Sequence, residues 1–329
     1  MKTVTRRALL AATALVLAAA SPVLAFAQET FPSRPITFVV PYPAGGGFDF
    51  YARAIAEQME KALGQKIIVE NKPGASTQLA AELVAGAKPD GYTVLVAGAS
   101  MVTTAPHLYE KLSYQREQFQ PVTNVLEQPM ALWVNPKAEP AVKTLADYVA
   151  LVKSKPGELF YATTGMGITT HLIGETLSIA ADLKITAAHY KGSNAARQDV
   201  LIGQPPFFVD GIPANLPQED AGNLLGLAVT TQERISALPD VPTFKEAGFP
   251  QAGMSSWLGL MVPTGTPREV VDTLHQAAVK GMEDEALRKR STSEGAVPLL
   301  EGPDEFAARI EREYQAWGET IKAIGLKLD

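Results

Sequence analysis

The chain of 329 residues contains no cysteine and only four histidines, and these shortages exclude several kinds of site. Without cysteine there is no disulfide, no thiol nucleophile and no zinc site built from thiolates. No histidine lies in a His-Glu-x-x-His pattern, so the sequence predicts no metal site. Gly98-Ala-Ser-Met-Val102 fails the Gly-x-Ser-x-Gly pattern at its last position, and no Walker loop is present. We therefore expect no cofactor and no enzyme chemistry, with an exported enzyme of unrecognised site as the alternative.

The chain also lacks any apolar run long enough to span a bilayer. Its one apolar stretch near the start, Ala8–Ala20, follows the basic residues Lys2, Arg6 and Arg7 and precedes the small residues Ala25-Phe-Ala27. This order is typical of a cleaved signal peptide, which we place at residues 1–27. We expect export to the periplasm of a Gram-negative bacterium. The Arg6-Arg7 pair leaves the twin-arginine route open beside the general secretory route.

Positive charge is scarce as well. Acidic residues outnumber basic ones by 35 to 29, and the formal net charge of −6 becomes about −9 once the three basic residues of the leader are removed. The charges are scattered rather than clustered. An acidic chain of this kind is a poor ligand for nucleic acids and for anionic membrane surfaces, so we expect neither as a partner.

Loops rich in glycine, serine and threonine are plentiful, and four of them connect a predicted strand to a predicted helix. They lie within residues 41–53, 71–78, 161–171 and 190–194. Glycine lets the backbone turn sharply, and the start of a helix adds free N–H donors and the positive end of a dipole. Such corners bind anions without a cationic side chain. Four of them in one chain predict a ligand that carries one or more carboxylates.

Apolar runs of strand length alternate with amphipathic stretches along the chain, which predicts an α/β fold with mostly parallel sheets. The spacing of Ile55, Met59 and Leu63 predicts a helix over residues 49–63. Thr144 and Asp147 have the spacing of a capping box and predict another helix start. No linker rich in glycine, serine or proline divides the chain, so we expect two domains joined by short crossing strands.

Three candidate residues admit both a structural and a functional interpretation. Asp49 is either a helix N-cap or a polar contact in a ligand cleft. Phe48 follows three glycines, where its ring either packs on a neighbouring loop or stacks on an aromatic ligand. Met101 either belongs to the core or lines an adaptable apolar pocket.

The order and spacing of several motifs resemble one family over nearly the whole chain beyond the leader. That family is the periplasmic substrate-binding proteins of tripartite tricarboxylate transporters, also called Bug-type receptors. The motifs are Pro41–Arg53, Val69–Ala75, Lys88–Thr93, Tyr190–Ser193, Leu227–Thr231, Leu238–Thr243, Glu246–Phe249 and Trp257–Pro267.

The resemblance implies a type II periplasmic binding protein fold, in which two α/β lobes close on a ligand like a Venus flytrap. We expect lobe 1 at residues 28–127 and 253–329, and lobe 2 at residues 128–252. The expected partners are a small carboxylate ligand and the membrane subunits of the transporter, and the expected state is a monomer.

The resemblance also implies ligand contacts on loops of both lobes. In lobe 1 they are Ala44, Gly45, Gly46, Gly47, Phe48, Asp49, Ala75, Ser76 and Thr77. To these we add Ser100 and Met101, which follow the third predicted strand. In lobe 2 they are Thr164, Thr169, Thr170, His171, Lys191 and Asp210.

The chain departs from the family pattern in a way that bears on the ligand. The family usually has threonine or serine where Phe48 stands, and the run at residues 205–209 is more apolar than usual. Both changes favour an aromatic dicarboxylate such as terephthalate, with its ring against Phe48. One carboxylate would then meet residues 44–47 and 75–77, and the other residues 169–171. The alternatives are an aliphatic di- or tricarboxylate, an acidic amino acid, or a ligand sensor for a two-component system.

Overall fold

The computed structural model of the protein describes residues 30–45, 47–293 and 295–328, and for Gly47 and Ser76 the backbone alone. The predicted signal peptide at residues 1–27 lies outside them. The chain divides after Ser33, and the following unit carries all the strands and helices described below.

Eleven strands and eleven α-helices alternate along the described part of this unit, as the α/β prediction requires. The strands are β1 (Ile36–Val40), β2 (Ile67–Asn71), β3 (Thr93–Gly98), β4 (Phe119–Gln128), β5 (Met130–Val134), β6 (Phe160–Thr163), β7 (Thr186–His189), β8 (Phe207–Gly211), β9 (Leu225–Val229), β10 (Ser256–Pro263) and β11 (Val297–Glu301). The helices are α1 (Gly47–Leu63), α2 (Gln78–Ala85), α3 (Ala99–Thr103), α4 (Ala105–Leu108), α5 (Leu145–Ser154), α6 (Thr169–Ala181), α7 (Ser193–Leu201), α8 (Leu216–Asp220), α9 (Arg268–Gly281), α10 (Glu285–Ser293) and α11 (Pro303–Ile324).

The strands form two sheets, and we call the layers around them the first and the second lobe. The first sheet has the order β11-β4-β10-β3-β1-β2, and the second has the order β7-β6-β8-β5-β9. The chain passes between them after β4 and returns after β9, which agrees with the expected crossing by short segments. The residue boundaries of the two lobes stay a prediction.

The expectation of mostly parallel sheets is wrong, because both sheets are mixed. Strands β1, β2 and β3 are parallel, as are β6, β7 and β8. The strands that enter a sheet from the other lobe run against their neighbours: β5 is antiparallel to β8 and β9, and β10 is antiparallel to β3 and β4. A chain that crosses twice between lobes enters each sheet without a crossover helix, so its direction is free to reverse.

Helix α11 packs against the cores of both lobes. Near its start, Phe306 packs edge-on against Trp257 of β10, with ring centroids 4.8 Å apart. Near its end, Trp317 and Ile321 belong to the same buried cluster as Tyr161 of β6. One amphipathic helix thus buries apolar side chains in two separate cores, and it fixes the first lobe to the second on one side.

A cluster of buried carboxylates lies where β4 leaves the first lobe. Glu313 of α11 accepts a hydrogen bond from the indole of Trp257 at 2.7 Å, and Arg309 contacts both Glu313 (3.4 Å) and Glu301 (2.7 Å). Burial raises the pKa of Glu313 to about 7, against the opposing effect of Trp257 and Arg309. Burial also raises the pKa of Glu127 on β4. Among the described residues, Arg309 is thus the one cation that contacts Glu301 and Glu313, and the buried carboxyl of Glu313 titrates close to neutral pH.

The predicted capping box at the start of α5 is confirmed. The Thr144 hydroxyl oxygen accepts from the backbone N–H of Asp147 at 3.1 Å, and the Asp147 carboxylate accepts from the backbone N–H of Thr144 at 2.9 Å. Both donors would otherwise be unpaired at the helix start.

Candidate functional site

The glycine loop after β1 is held by a buried carboxylate. Gly45 has a φ of 83°, and its N–H donates to Asp49 Oδ2 at 2.8 Å. The other carboxylate oxygen, Oδ1, accepts from Asn71 Nδ2 at 2.9 Å and lies 3.0 Å from Arg53 Nε. Asp49 itself is only 4% exposed. Its carboxylate therefore fixes the loop to the end of β2 from below.

These contacts also set the charge of Asp49. Burial opposes ionisation, but the hydrogen bonds from Arg53, Gly45 and Asn71 outweigh it and lower the pKa of the carboxyl. Asp49 is ionised at neutral pH, and both of its carboxylate oxygens already contact donors of the protein: Gly45, Asn71 and Arg53. The geometry thus suits loop support, and ligand contact at Asp49 stays a prediction.

An aromatic pair stands beside the glycine loop. The ring of Phe48 lies against Tyr42 with centroids 4.3 Å apart and planes tilted by 34°. Both rings lie over Gly98 at the end of β3, where an added Cβ would be 3.2 Å from Phe48 and 2.4 Å from the Tyr42 hydroxyl. The Tyr42 hydroxyl also hydrogen-bonds Ser100, and burial raises the Tyr42 pKa to about 12. Phe48 packs on its neighbour and is still partly exposed, so it has a surface left for a ligand.

The corner after β2 adopts an unusual backbone conformation. Gly74, Ala75 and Thr77 all have positive φ, at 138°, 45° and 77°, and residues 75–77 form one turn of 3-10 helix. For alanine and threonine such angles cost on the order of 1 kcal/mol each, and backbone strain of this kind is concentrated at functional sites. Ala44, Ala75 and Thr77 are at least partly exposed, as a ligand-binding loop requires. Gly46 and the side chain of Ser76 lie outside the described residues.

Helix α3 supplies the last two predicted residues of the first lobe, and they differ. Ser100 is partly exposed and bonded to Tyr42, which places it beside the aromatic pair. Met101 is fully buried in the core of the first lobe, and its backbone oxygen accepts from the Tyr114 hydroxyl at 2.6 Å. Of the two interpretations of Met101, the structure shows a core residue.

In the second lobe, the predicted residues after β6 form one hydrogen-bonded cluster. The Thr170 hydroxyl accepts from the backbone N–H of Thr164 at 3.1 Å and lies 3.0 Å from the Thr164 hydroxyl. The Thr164 carbonyl in turn accepts from the N–H of Gly192 at 3.1 Å. The corner at residues 164–171 is thus joined to the corner at residues 190–194, and Thr169 is buried beside them at the start of α6.

The ring of His171 makes contacts with other groups of this cluster. Its Nδ1 accepts from the N–H of Gly167 at 3.1 Å, and its Nε2 lies 3.6 Å from Glu175 Oε1. The Tyr161 hydroxyl also donates to Glu175, at 2.8 Å. Burial opposes ionisation of Glu175, but the hydrogen bonds from His171 and Tyr161 outweigh it and lower the Glu175 pKa. Both ring nitrogens of His171 face groups of the protein in this arrangement, and ligand contact at His171 stays a prediction.

Asp210 near the end of β8 supports the corner at residues 190–194, as Asp49 supports the glycine loop of the first lobe. It is 5% exposed, accepts from the Ser193 hydroxyl, and accepts from Asn215 Nδ2 at 2.9 Å. Burial raises the pKa of Asp210 against these hydrogen bonds. The carboxylate holds the start of α7 from below, while Lys191 is exposed on the corner itself. Ligand contact at either residue stays a prediction.

The loop at residues 164–171 also touches helix α4 and Leu328 near the end of the chain. Gly167 has a φ of 73°, and an added Cβ would be 2.6 Å from Leu328 and 3.3 Å from Leu108. Leu108 ends α4, which follows directly on the helix that carries Ser100. A short stretch of helix therefore connects the aromatic pair of one lobe to the threonine cluster of the other.

Sequence reasoning missed three residues of these clusters: Tyr42, Asn71 and His189. Tyr42 and Asn71 lie in the glycine-loop motifs, but only the fold brings Tyr42 to Phe48 and Asn71 to Asp49. His189 ends β7 directly before the fourth corner, and its Nδ1 lies 2.9 Å from the Thr163 hydroxyl. Its position as the last strand residue before a predicted anion corner was an available signal.

Three further features of the described residues lie outside the predicted ligand site. A groove of about 750 Å³ runs between the helices α8 and α10, with Asp220, Glu283 and Lys289 among its lining residues, and it contains none of the predicted ligand residues. Within residues 30–45, 47–293 and 295–328, no three histidine, cysteine or acidic residues come together as a metal site. No described helix has the length and apolar character to cross a membrane.

Comparisons with known proteins indicate the family of the chain. The family model described as "Tripartite tricarboxylate transporter family receptor" matches residues 51–326. Protein BugT of Bordetella pertussis is 31% identical over 97% of this chain and 98% of its own length.

Two solved structures of Rhodopseudomonas palustris proteins have the same fold. Rpa4515, solved with adipate, is 32% identical, covers 90% of this chain and 99% of its own, and has a TM-score of 0.75. MatC, solved with bound malate, is 32% identical, covers 88% of this chain and 100% of its own, and has a TM-score of 0.71. The family description denotes a receptor, and the solved structure of BugD, 32% identical to this chain, is described as a periplasmic binding protein, as the non-enzymatic prediction requires. The chain belongs to the receptor family of the tripartite tricarboxylate transporters.

Proposed function

We propose that this chain is a periplasmic receptor that captures a dicarboxylate between its two lobes for uptake by the membrane subunits of a tripartite tricarboxylate transporter. The observation that carries the proposal is the paired construction of the two corners. In each lobe a strand ends in a loop of small residues, and a buried carboxylate, Asp49 or Asp210, holds that loop from below. The relatives solved with adipate and malate support a dicarboxylate.

The two corners divide the ligand between them. The backbone of residues 44–47 and 75–77 meets one carboxylate, and Thr169 and Thr170 meet the other. A ligand that contacts both lobes binds the closed form better than the open form, so it shifts the population towards closure.

Within this class we propose an aromatic dicarboxylate such as terephthalate. The support is the Tyr42–Phe48 pair, whose partly exposed Phe48 ring offers a surface for stacking. An aliphatic dicarboxylate is the second candidate, because Phe48 already has a packing partner in Tyr42 and the solved relatives hold adipate and malate.

Titration calorimetry with a matched ligand set separates these candidates. The set contains terephthalate, phthalate, benzoate, adipate, citrate and glutamate. We expect terephthalate to bind most tightly and benzoate, which has one carboxylate, to bind at least roughly tenfold more weakly. Tighter binding of adipate or citrate would keep the receptor class and remove the aromatic ligand. No binding across the set would contradict the dicarboxylate proposal.

Phe48→Leu tests the stacking contact. Leucine keeps an apolar side chain against Tyr42 but removes the π face, which contributes about 0.5–1.5 kcal/mol beyond buried area. We expect the affinity for terephthalate to fall by roughly two- to tenfold while the affinity for adipate is unchanged. The matched control is Phe160→Leu. Phe160 is 48% exposed and begins β6, at the end of the strand away from the threonine cluster. Equal effects of Phe48→Leu on both ligands would show that Phe48 only packs.

Transport and sensing make different use of the same loaded receptor. The family description names a transporter receptor, which supports transport. Uptake of labelled terephthalate is expected to be lost in cells from which this chain is deleted. If the chain were part of a two-component sensor, its deletion would instead leave uptake intact and abolish ligand-induced transcription.

A further inference from the structure

His189 and His171 lie side by side in the second lobe, and their Nδ1 atoms make different contacts. Their ring centroids are 4.5 Å apart and the rings meet edge-on at 82°. The N–H of Gly167 donates to His171 Nδ1 at 3.1 Å. That nitrogen therefore carries no proton, and the neutral ring holds its proton on Nε2, towards Glu175.

The contacts of Thr163 favour the opposite form for His189. The Thr163 hydroxyl lies 3.1 Å from the carbonyl oxygen of Gly165 and 2.9 Å from His189 Nδ1. Because a carbonyl oxygen can only accept, we assign the single hydroxyl proton to Gly165, which leaves the ring to donate from Nδ1 to the hydroxyl oxygen. Neutral His189 therefore carries its proton on Nδ1 and has a bare lone pair on Nε2.

That bare nitrogen is open to a ligand. His189 is exposed, and its Nε2 makes no hydrogen bond with any other residue in the described part of the chain. It stands at the end of β7, beside Thr163 and directly before the corner that Gly192 joins to Thr164. A lone pair beside a ligand carboxylate is repulsive, whereas an imidazolium N–H makes a charge-assisted hydrogen bond.

We propose that His189 takes up one proton from solvent as a ligand carboxylate binds, and that the resulting imidazolium is the cationic contact of the second lobe. This inference rests on the proposed receptor function. The proton adds to Nε2, while the proton on Nδ1 stays directed at Thr163. This contact selects carboxylates over neutral ligands, because an ester or amide at the same position forms no charge-assisted hydrogen bond with the imidazolium.

The groups around His189 keep the unliganded ring neutral. Burial lowers the pKa of His189, and Glu175, on the same helix as His171, only partly opposes this effect. From β6, the facing group is the uncharged Thr163. A ligand carboxylate places a negative charge beside His189, so its binding raises the pKa of the ring.

Titration calorimetry with adipate and with terephthalate, at about pH 7.5 in HEPES and in Tris, measures the proton count directly. We expect about one proton to be taken up per ligand, and the affinity to rise up to roughly tenfold as the pH is lowered by one unit. Both ligands are dianions throughout, because carboxylic acids titrate well below this range. Binding without proton uptake would contradict the inference alone, whereas absence of binding would contradict the proposed function as well.

Two variants test whether His189 is the group that takes up the proton. His189→Gln is expected to abolish proton uptake and to lower affinity by at least roughly tenfold at pH 7, because its amide cannot become charged. Thr163→Val frees Nδ1 and lets neutral His189 place its proton on Nε2, so binding is expected to persist with less proton uptake. The control is Lys184→Ala, which removes an exposed cation two residues before β7 begins. This variant should match the unmodified chain. Unchanged proton uptake in His189→Gln would overturn the inference.

Discussion

Asp49→Ala is expected to lower ligand affinity by at least roughly tenfold and to reduce the free energy of unfolding by about 3 kcal/mol. The substitution removes the acceptor of Gly45, Asn71 and Arg53 together. The glycine loop then loses its tie to β2, and the Asn71 and Arg53 side chains lose a charged partner. Titration calorimetry with terephthalate and chemical denaturation measure the two effects.

The pH dependence of Asp49 gives a second test of the same contacts. Its pKa is lowered in the folded protein, so its stabilising contribution is present above the unfolded value near 4 and is lost as the pH falls through the folded value. Asp49→Asn keeps the shape and should lie between the parent and Asp49→Ala. Glu57→Ala, exposed on the same helix, is the control. Full affinity in Asp49→Ala would contradict the supporting role.

Glu313→Gln is expected to stabilise the protein at about pH 8 by up to about 3 kcal/mol and to flatten its pH profile. The pKa of Glu313 is raised to about 7, whereas an unfolded glutamate titrates near 4.3. Between these values the folded state holds a proton that the unfolded state has lost, so stability falls as the pH rises through this window. Glutamine keeps an acceptor for Trp257 without the charge.

Denaturation at several pH values between about 4 and 8 checks this prediction. Glu319→Gln, an exposed residue on the same helix, is the matched control and should leave the slope unchanged. Glu127, whose pKa is also raised, is expected to retain part of the slope in Glu313→Gln. A destabilised Glu313→Gln at pH 8 would show that the ion pair with Arg309 outweighs the cost of burying the charge.

Local signals in the sequence predicted the elements that depend on local chemistry. The capping box at Thr144 is set by residues three apart, and α1 follows the apolar spacing of residues 55–63. The same locality explains why the strand-loop-helix corners could be found. Helix α10 and strand β11 were missed, because α10 is strongly polar and β11 is only half-buried.

The parts that the sequence did not predict depend on contacts between distant residues. Glu127 and Glu313 join one cluster only because β4 and α11 meet. His171 resembled a ligand donor until Gly167 and Glu175 occupied its two nitrogens. His189, one strand away, was overlooked for the same reason: its free nitrogen is defined by the contact with Thr163.

Closure of the two lobes on a dicarboxylate is the central claim, and a distance between the lobes tests it most directly. The chain has no cysteine, so Lys61→Cys on α1 and Lys153→Cys on α5 place one spin label on each lobe, both at exposed positions. Pulsed electron resonance then measures the distance between the labels with and without ligand. We predict a shorter and narrower distance distribution with terephthalate or adipate, and no change with dimethyl terephthalate. Calorimetric binding with an unchanged distance would contradict capture between the lobes.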